Sequence, residues 1–147
     1  MTRIYFTSDI HGSEVCWKKF LNAGKFYKAD IAIMGGDITG KIIVPIVEAD
    51  NGKYETQIFG KDMILNSKKE VEELEAKVMS SGYYPYPCDK KEYEELQNSQ
   101  EKLDKLFNKL IGDGLKRWVE TGDQKLDGSV KVFVSPGNDD RFVIDSV

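Results

Sequence analysis

Ile4-Tyr5-Phe6-Thr7-Ser8-Asp9-Ile10-His11-Gly12 is the stretch whose reading decides the fold of this chain. Its first half is an apolar, β-rich run that reads as a strand over residues 3–8. Its second half breaks into Asp-x-His-Gly. Asp9 and His11 lie two residues apart just past the strand, so they project to one side and can grip a single metal ion. His11 is also the only histidine among 147 residues. Two further stretches repeat the layout. Ile31-Ala32-Ile33-Met34, the core of a strand over 30–34, runs into Gly35-Gly36-Asp37-Ile38-Thr39-Gly40. Val130-Lys131-Val132-Phe133-Val134 runs into Ser135-Pro136-Gly137-Asn138-Asp139-Asp140. Three strand ends offering Asp and His, Asp, and Asn and Asp point to a metal site along one edge of a sheet.

Outward from the first strand, Gly12 and Ser13 turn the chain into a helical pattern near 13–23. Val15, Cys16, Phe20 and Ala23 are expected to face the sheet, with Gly24 ending the helix as a C-cap. A strand–helix–strand unit of this kind pairs in parallel through a right-handed crossover, which makes the fold class α/β. Ile42–Val47, then Asp50-Asn51-Gly52-Lys53, then Tyr54–Phe59 read as a β-hairpin, since Asn-Gly is a strong signal for a tight turn. Pro45 lacks an N–H and pushes its strand towards an edge.

The middle of the chain changes character. Ser67-Lys68-Lys69-Glu70 and Asp89-Lys90-Lys91-Glu92 have capping-box spacing and open helices near 67–80 and 89–111. Pro85 and Pro87 break the helical pattern between them. In the second helix Tyr93, Leu96, Leu103, Leu106, Phe107, Leu110 and Ile111 form one apolar stripe. Gly112 and Gly114 could end it; Leu115, Trp118 and Val119 favour continuation to about 121. Seventeen of the 39 residues from 67 to 105 are charged. That charge fits a solvated outer face laced with i,i+4 pairs; the alternative is a lid shaping a substrate cleft. The tail from Arg141 to Val147 reads as the opening of another helix.

The length suits one domain over 1–147, with 67–121 as a helical insertion or lid. Forty per cent apolar and 11% aromatic residues suit a globular core. A net charge of −4 and a pI near 5.1 leave no strong nucleic-acid signal. Two cysteines, one of them within the expected first helix, are no disulfide framework, and a reducing cytoplasm fits. No apolar stretch near the N-terminus reads as a signal peptide or membrane anchor.

A divalent ion of this class takes carboxylate oxygens and imidazole nitrogen from rigid positions. Asp9 and His11 supply a pair, Asp37 sits on a glycine-flanked turn where its carboxylate could bridge two ions, and Asn138 would reach in through its side-chain oxygen. Two ions about 3.5–4 Å apart form a clamp for in-line displacement at phosphorus. In this order, Ser8–Gly12, Gly35–Gly40 and Pro136–Asp140 resemble the first three motifs of the calcineurin-like metallophosphoesterases, across residues 3–140. The resemblance implies an α/β/β/α sandwich with the hairpin and helical insertion lying between motifs two and three. It implies a dinuclear centre of manganese, iron, zinc or nickel that hydrolyses a phosphomonoester or phosphodiester with metal-bound hydroxide. Asp9 and His11 would bind the first ion, Asp37 would bridge, and Asn138 would bind the second.

Two departures qualify that expectation. The family usually places a histidine after the asparagine, where it stabilises charge or protonates the leaving group. Here Asp139 holds the position, as a weak acid, a supporting group or no catalyst. Asp140 matches the acidic residue that usually orients that histidine. Arg141 could touch a phosphate, or be an ordinary surface arginine. The family also supplies three later histidines, including a Gly-His-x-His pair, that this chain lacks. The chain therefore reads as an N-terminal half: a fragment, a truncated gene product or one piece of a split protein. Such a half is expected to bind at most one divalent ion, to show little or no activity on its small phosphoester substrate, and to self-associate through an exposed sheet edge. Two function classes follow: a metal-dependent phosphoesterase, or a non-catalytic protein-binding module on the same scaffold.

Overall fold

The three strands expected from the motif-bearing apolar runs pair in parallel and in register. In a computed structural model that describes residues 1–126 and 128–141, β1 (Ile4–Ser8), β2 (Ile31–Gly35) and β7 (Lys131–Ser135) form one sheet, in the order β1-β2-β7. Phe6 lies beside Ile33 and Ile33 beside Phe133, while Ser8, Gly35 and Ser135 end level. A second sheet, in the order β5-β4-β3-β6, contains β3 (Ile43–Glu48), β4 (Tyr54–Ile58), β5 (Lys61–Leu65) and β6 (Tyr84–Asp89). Four helices complete a mixed α/β fold: α1 (Glu14–Phe26), α2 (Lys68–Ser80), α3 (Lys90–Gln97) and α4 (Gln100–Leu126).

Each sheet has its own core. Tyr5, Ala32, Met34 and Val132 pack beneath α1 and α4, which contribute Trp17, Phe20, Leu21, Trp118 and Leu126. Trp17 and Trp118 stack at 5.1 Å between ring centroids, and the Trp17 indole N–H donates to the Trp118 carbonyl at 3.1 Å. Thus the buried stripe of α1 is Trp17, Phe20, Leu21 and Gly24. Of the four residues expected to face the sheet, Phe20 is buried, whereas Val15 and Cys16 are exposed. The true stripe is displaced by about one residue, because i, i+3, i+4, i+7 spacing starting at Trp17 collects the larger side chains. Gly24 does not stop the helix. It lies against the sheet, where a Cβ would meet Val130 and Ala32, and Tyr27 is the cap.

In the second sheet Val44, Ile46 and Leu65 are buried against Val71, Leu74 and Val78 of α2. Pro45 does not make β3 an edge: β3 lies between β4 and β6. The β3–β4 ladder begins at Ile46, so Pro45 sits outside it, and its carbonyl accepts from the Thr56 hydroxyl at 2.6 Å. Pro85 and Pro87, read as a break, belong to β6, which is the edge strand. Tyr84 N–H donates to Ile42 O, just ahead of the neighbouring β3. By the two-residue period, the proline nitrogens turn to the open side, where no donor is needed. The span 67–121 is therefore not wholly helical.

Strand β5 is an addition to the expected hairpin. Phe59 and Gly60 both have positive φ (51° and 73°), the signature of a two-residue turn that joins β4 to β5. The expected hairpin between β3 and β4 is present, closed by Ala49 N–H to Lys53 O at 2.8 Å. Ser67 and Asp89 cap α2 and α3 by accepting from Glu70 and Glu92 N–H groups. The helix expected over 89–111 is split at Asn98 and Ser99, where Ser99 Oγ accepts from Lys102 N–H at 3.3 Å and starts a new helix. That helix, α4, then runs through Gly112 and Gly114. The expected helix opening after Arg141 falls on 142–147, outside the described residues. No helix among the described residues is long and apolar enough to cross a membrane.

Among the described residues one face of the parallel sheet is left open. Ile4, Phe6 and Phe133 are 57%, 62% and 55% exposed on the side opposite α1. Parallel sheets normally cover both faces.

Gly112 lies inside α4 with nothing within 4 Å of the position a Cβ would occupy. Gly112→Ala should therefore stabilise the protein by about 0.5–1 kcal/mol, through lower backbone entropy in the unfolded chain. Urea denaturation followed by circular dichroism measures it; an unchanged or lower midpoint would contradict a continuous α4 at this position.

Candidate metal centre

The level ends of β1, β2 and β7 release three loops side by side: Asp9–Gly12, Gly36–Gly40 and Pro136–Asp140. Backbone bonds continue between them beyond the sheet. Asp9 N–H donates to Gly36 O at 3.3 Å, His11 N–H to Asp37 O at 2.9 Å, Gly12 N–H to Ile38 O at 2.8 Å and Gly36 N–H to Ser135 O at 2.9 Å. The loops are thus extensions of the ladder rather than free connections.

This ladder places Asp9, His11 and Asp37 together. One carboxylate oxygen from each aspartate and one imidazole nitrogen lie within 4.8 Å of one another. Metal bonds of about 2.0–2.2 Å place ligand atoms of one ion at most about 4.4 Å apart, a spacing of the same order as the one this set offers. Two carboxylates and one imidazole are the donor set a hard or borderline divalent ion takes. Asp37 is only 9% exposed, whereas Asp9 and His11 are open to solvent.

The backbone carries a second sign. Five non-glycine residues among those described have positive φ, and three of them are the triad: Asp9 at 56°, His11 at 45° and Asp37 at 29°. Left-handed backbone is costly for residues with a Cβ and tends to gather at functional sites. Here it turns three polar side chains to one point.

The Asp140 carboxylate makes most of the bonds that hold the third loop to the second. The Asp140 carboxylate accepts from Ile38 N–H at 3.0 Å, Thr39 N–H at 2.8 Å, the Thr39 hydroxyl at 2.6 Å and Gly137 N–H at 2.8 Å. Partial burial raises its pKa, but those four donors outweigh the burial and hold the group below the ordinary carboxylate value. Asp140, matched in sequence to the family's histidine-orienting acid, here ties loop three to loop two. Asp139 N–H donates to Asp37 Oδ1 at 3.1 Å, and its carboxylate pairs with Lys41 Nζ. The hydrogen bond and charge of Lys41 keep Asp139 ionised, below the ordinary value, which does not suit a proton donor. Lys41 is correspondingly raised, first by that hydrogen bond and against a smaller desolvation. The Asn138 amide donates to Asp139 Oδ1 at 3.2 Å. Arg141, read as a phosphate contact or an ordinary surface arginine, is engaged with α4: its guanidinium donates to Asp104 and Asn108 at 3.1 and 3.2 Å and lies 4.4 Å over the Phe107 ring.

Two supports lie far from the motifs in sequence. Tyr84 of β6 accepts from Gly40 N–H at 3.0 Å. Gly82 packs its backbone on the histidine loop, where a Cβ would stand 2.0 Å from His11 O; a Cβ on Gly40 would stand 2.0 Å from Gly82 O. Ser13 Oγ donates to Ser80 O at 2.8 Å in the same place. Lys41 directly follows Gly-Asp-Ile-Thr-Gly and was within reach of the sequence; Gly82 and Tyr84 gave no local signal.

A cleft of about 1400 Å³ borders this edge without including the triad. It runs from Lys41 and Arg141 along Ile43, Pro45 and Val47 to Tyr93, Leu96 and Phe107. Comparison with protein-family models, with curated proteins and with solved structures returns no match.

Replacing Asp140 by Asn keeps its shape but loses the charge that gathers four donors. About 1–2 kcal/mol of stability should go at neutral pH, the figure allowing for partial exposure. Because the folded-state pKa is depressed below 3.8, this contribution is complete above that value and fades as pH falls through it. The gap between wild type and Asp140→Asn in urea titrations should therefore narrow from pH 6 to pH 3; a gap that widens would contradict the clamp.

Gly60 and Gly82 share positive φ (73° and 84°), yet nothing lies near a Cβ at Gly60. Gly60→Ala should cost about 1 kcal/mol from conformation alone, and Gly82→Ala at least twice as much. Equal midpoint shifts on denaturation would remove the contact between Gly82 and the histidine loop from the account.

Proposed function

We propose that Asp9, His11 and Asp37 hold one divalent metal ion, and that the chain is a metal-dependent phosphoesterase built on the α/β/β/α sandwich of the calcineurin-like metallophosphoesterases. The observation that carries this reading is the coincidence of ligand chemistry and backbone strain: the three residues able to bind metal are three of the five with left-handed backbone. The order of the motifs adds to it.

When bound, the ion supplies Lewis-acid charge at a phosphoryl oxygen and lowers the pKa of water. The chain's own residues hold and orient. Asp9 and His11 present their donors from the end of β1, Asp37 presents its carboxylate from a buried turn, and Asp140 fixes the spacing of the loops behind them. Asp139, paired with Lys41, serves as its counterion. Asn138 stands on the third loop with its amide turned to Asp139, so a second ion would find Asp37 alone with a single carboxamide. The expected stoichiometry is one ion of manganese, iron, zinc or nickel.

The open apolar face of Ile4, Phe6 and Phe133 supports a second reading, a protein-binding module on the same scaffold. Metal retention separates the two. Dialysis against manganese followed by elemental analysis should leave one equivalent on the wild type, and Asp37→Asn should lower affinity at least about tenfold. Retention below a tenth of an equivalent, or undiminished retention in Asp37→Asn, would favour the binding module. Turnover of bis(p-nitrophenyl) phosphate is expected to be slow and to vanish in the same variant.

A further inference from the structure

Asp9, Asp37, Asp139 and Asp140 crowd carboxylates at the loop ends, so an anionic ester there needs a cation of the chain as well as the ion. Among the described residues that line the cleft, three are basic: Lys41, Lys90 and Arg141. Lys90 begins α3 beyond Asp89, which pairs with Glu48 at the far end of β3. Arg141 is already committed to Asp104, Asn108 and the Phe107 ring. Lys41 remains. Its side chain is half-exposed, pairs with Asp139, and through the Asp139 N–H to Asp37 Oδ1 bond stands one residue away from a metal-ligating carboxylate.

We propose that Lys41 is the phosphate anchor of this site, with the organic group of the ester lying in the cleft that starts at Lys41. The proposal rests on the metal-site reading above. Asp139 is then the resting partner of Lys41, holding the ammonium at the loops and competing with an incoming phosphate. The cleft names the substrate class. Val44 and Ile46 face the α2 core, so the alternate residues Ile43, Pro45 and Val47 face the cleft, opposite Tyr93 and Leu96. A volume of about 1400 Å³ exceeds the roughly 300–1,000 Å³ of common small-ligand sites. Glu48, Asp50, Glu55, Asp62 and Asp104 line the same cleft, so the fitting ligand is a phosphoester whose extended apolar or aromatic group carries no further negative charge.

A matched pair of non-hydrolysable probes tests this on the manganese-loaded full chain by calorimetry: methylphosphonate and 1-naphthylmethylphosphonate. The naphthyl probe should bind the wild type at least roughly tenfold tighter, as burial of one aromatic group allows. Lys41→Met should weaken both probes at least about tenfold, Lys41→Arg should keep affinity within about threefold, and Asp139→Asn should tighten both by removing the competitor. Val47→Asp, or Leu96→Gln should Val47→Asp not fold, should erase only the naphthyl advantage. Manganese affinity should not weaken in Lys41→Met. Equal affinity of Lys41→Met and wild type, loss in Arg141→Gln instead, equal binding of the two probes, or no tightening in Asp139→Asn would each overturn the proposal while leaving the metal site standing. Failure of the wild type to take up manganese would overturn the metal-site reading itself.

Discussion

The parallel register of β1, β2 and β7 is the constraint on which the site depends. Ser8, Gly35 and Ser135 end the ladder at one level, so the loops that follow start from a common line. Their backbone bonds then continue the pairing for several residues past the strands. A slip of one residue would turn every side chain to the other face. It would take Ala32 and Met34 out of the core under α1 and move Asp9 and Asp37 apart. The apolar alternation that builds the core thus fixes the polar geometry at its edge.

The strained backbone fits that arrangement. Left-handed conformations at Asp9, His11 and Asp37 persist because surrounding bonds over-determine them: His11 N–H is held by Asp37 O, Asp37 Oδ1 by Asp139 N–H, and the whole second loop by the Asp140 carboxylate. The second sheet contributes from behind. Gly82 at the end of α2 touches the first two loops, Tyr84 at the start of β6 holds the second through Gly40, and Ser13 Oγ bonds to Ser80 O. Residues 41–130 are therefore more than a spacer between the second and third motifs. They supply backing for the histidine loop and one wall of the cleft.

Much of the first sheet was legible in the sequence. Three short apolar runs ending in glycine and acidic residues marked β1, β2 and β7 closely, because parallel strands read as continuous apolar segments, even though one face of β1 and β7 is exposed here. The triad was legible for the same reason, since each member stands within three residues of a strand end. What failed were judgements in which tertiary contact outweighs local preference. Pro45 sits inside a central strand because the ladder bond it cannot make falls beyond the end of the pairing. Pro85 and Pro87 are accepted by an edge whose open side needs no donor. Gly24 continues a helix because it packs against the sheet, and Asn98-Ser99 divides one apolar stripe between two helices through a serine cap. Asp140, Lys41 and Arg141 were visible as residues but not in their roles. Those roles depend on partners about 30 to 100 positions away.

A single histidine makes the proposed metal site of Asp9, His11 and Asp37 directly observable. With only one imidazole in the chain, the nitrogen-15 NMR spectrum of the histidine side chain holds the resonances of His11 alone. Titration with zinc should move one ring nitrogen strongly and saturate at one equivalent, with no movement in Asp37→Asn at the same zinc concentration. An imidazole signal that zinc leaves in place, or one that shifts equally in Asp37→Asn, would contradict the account.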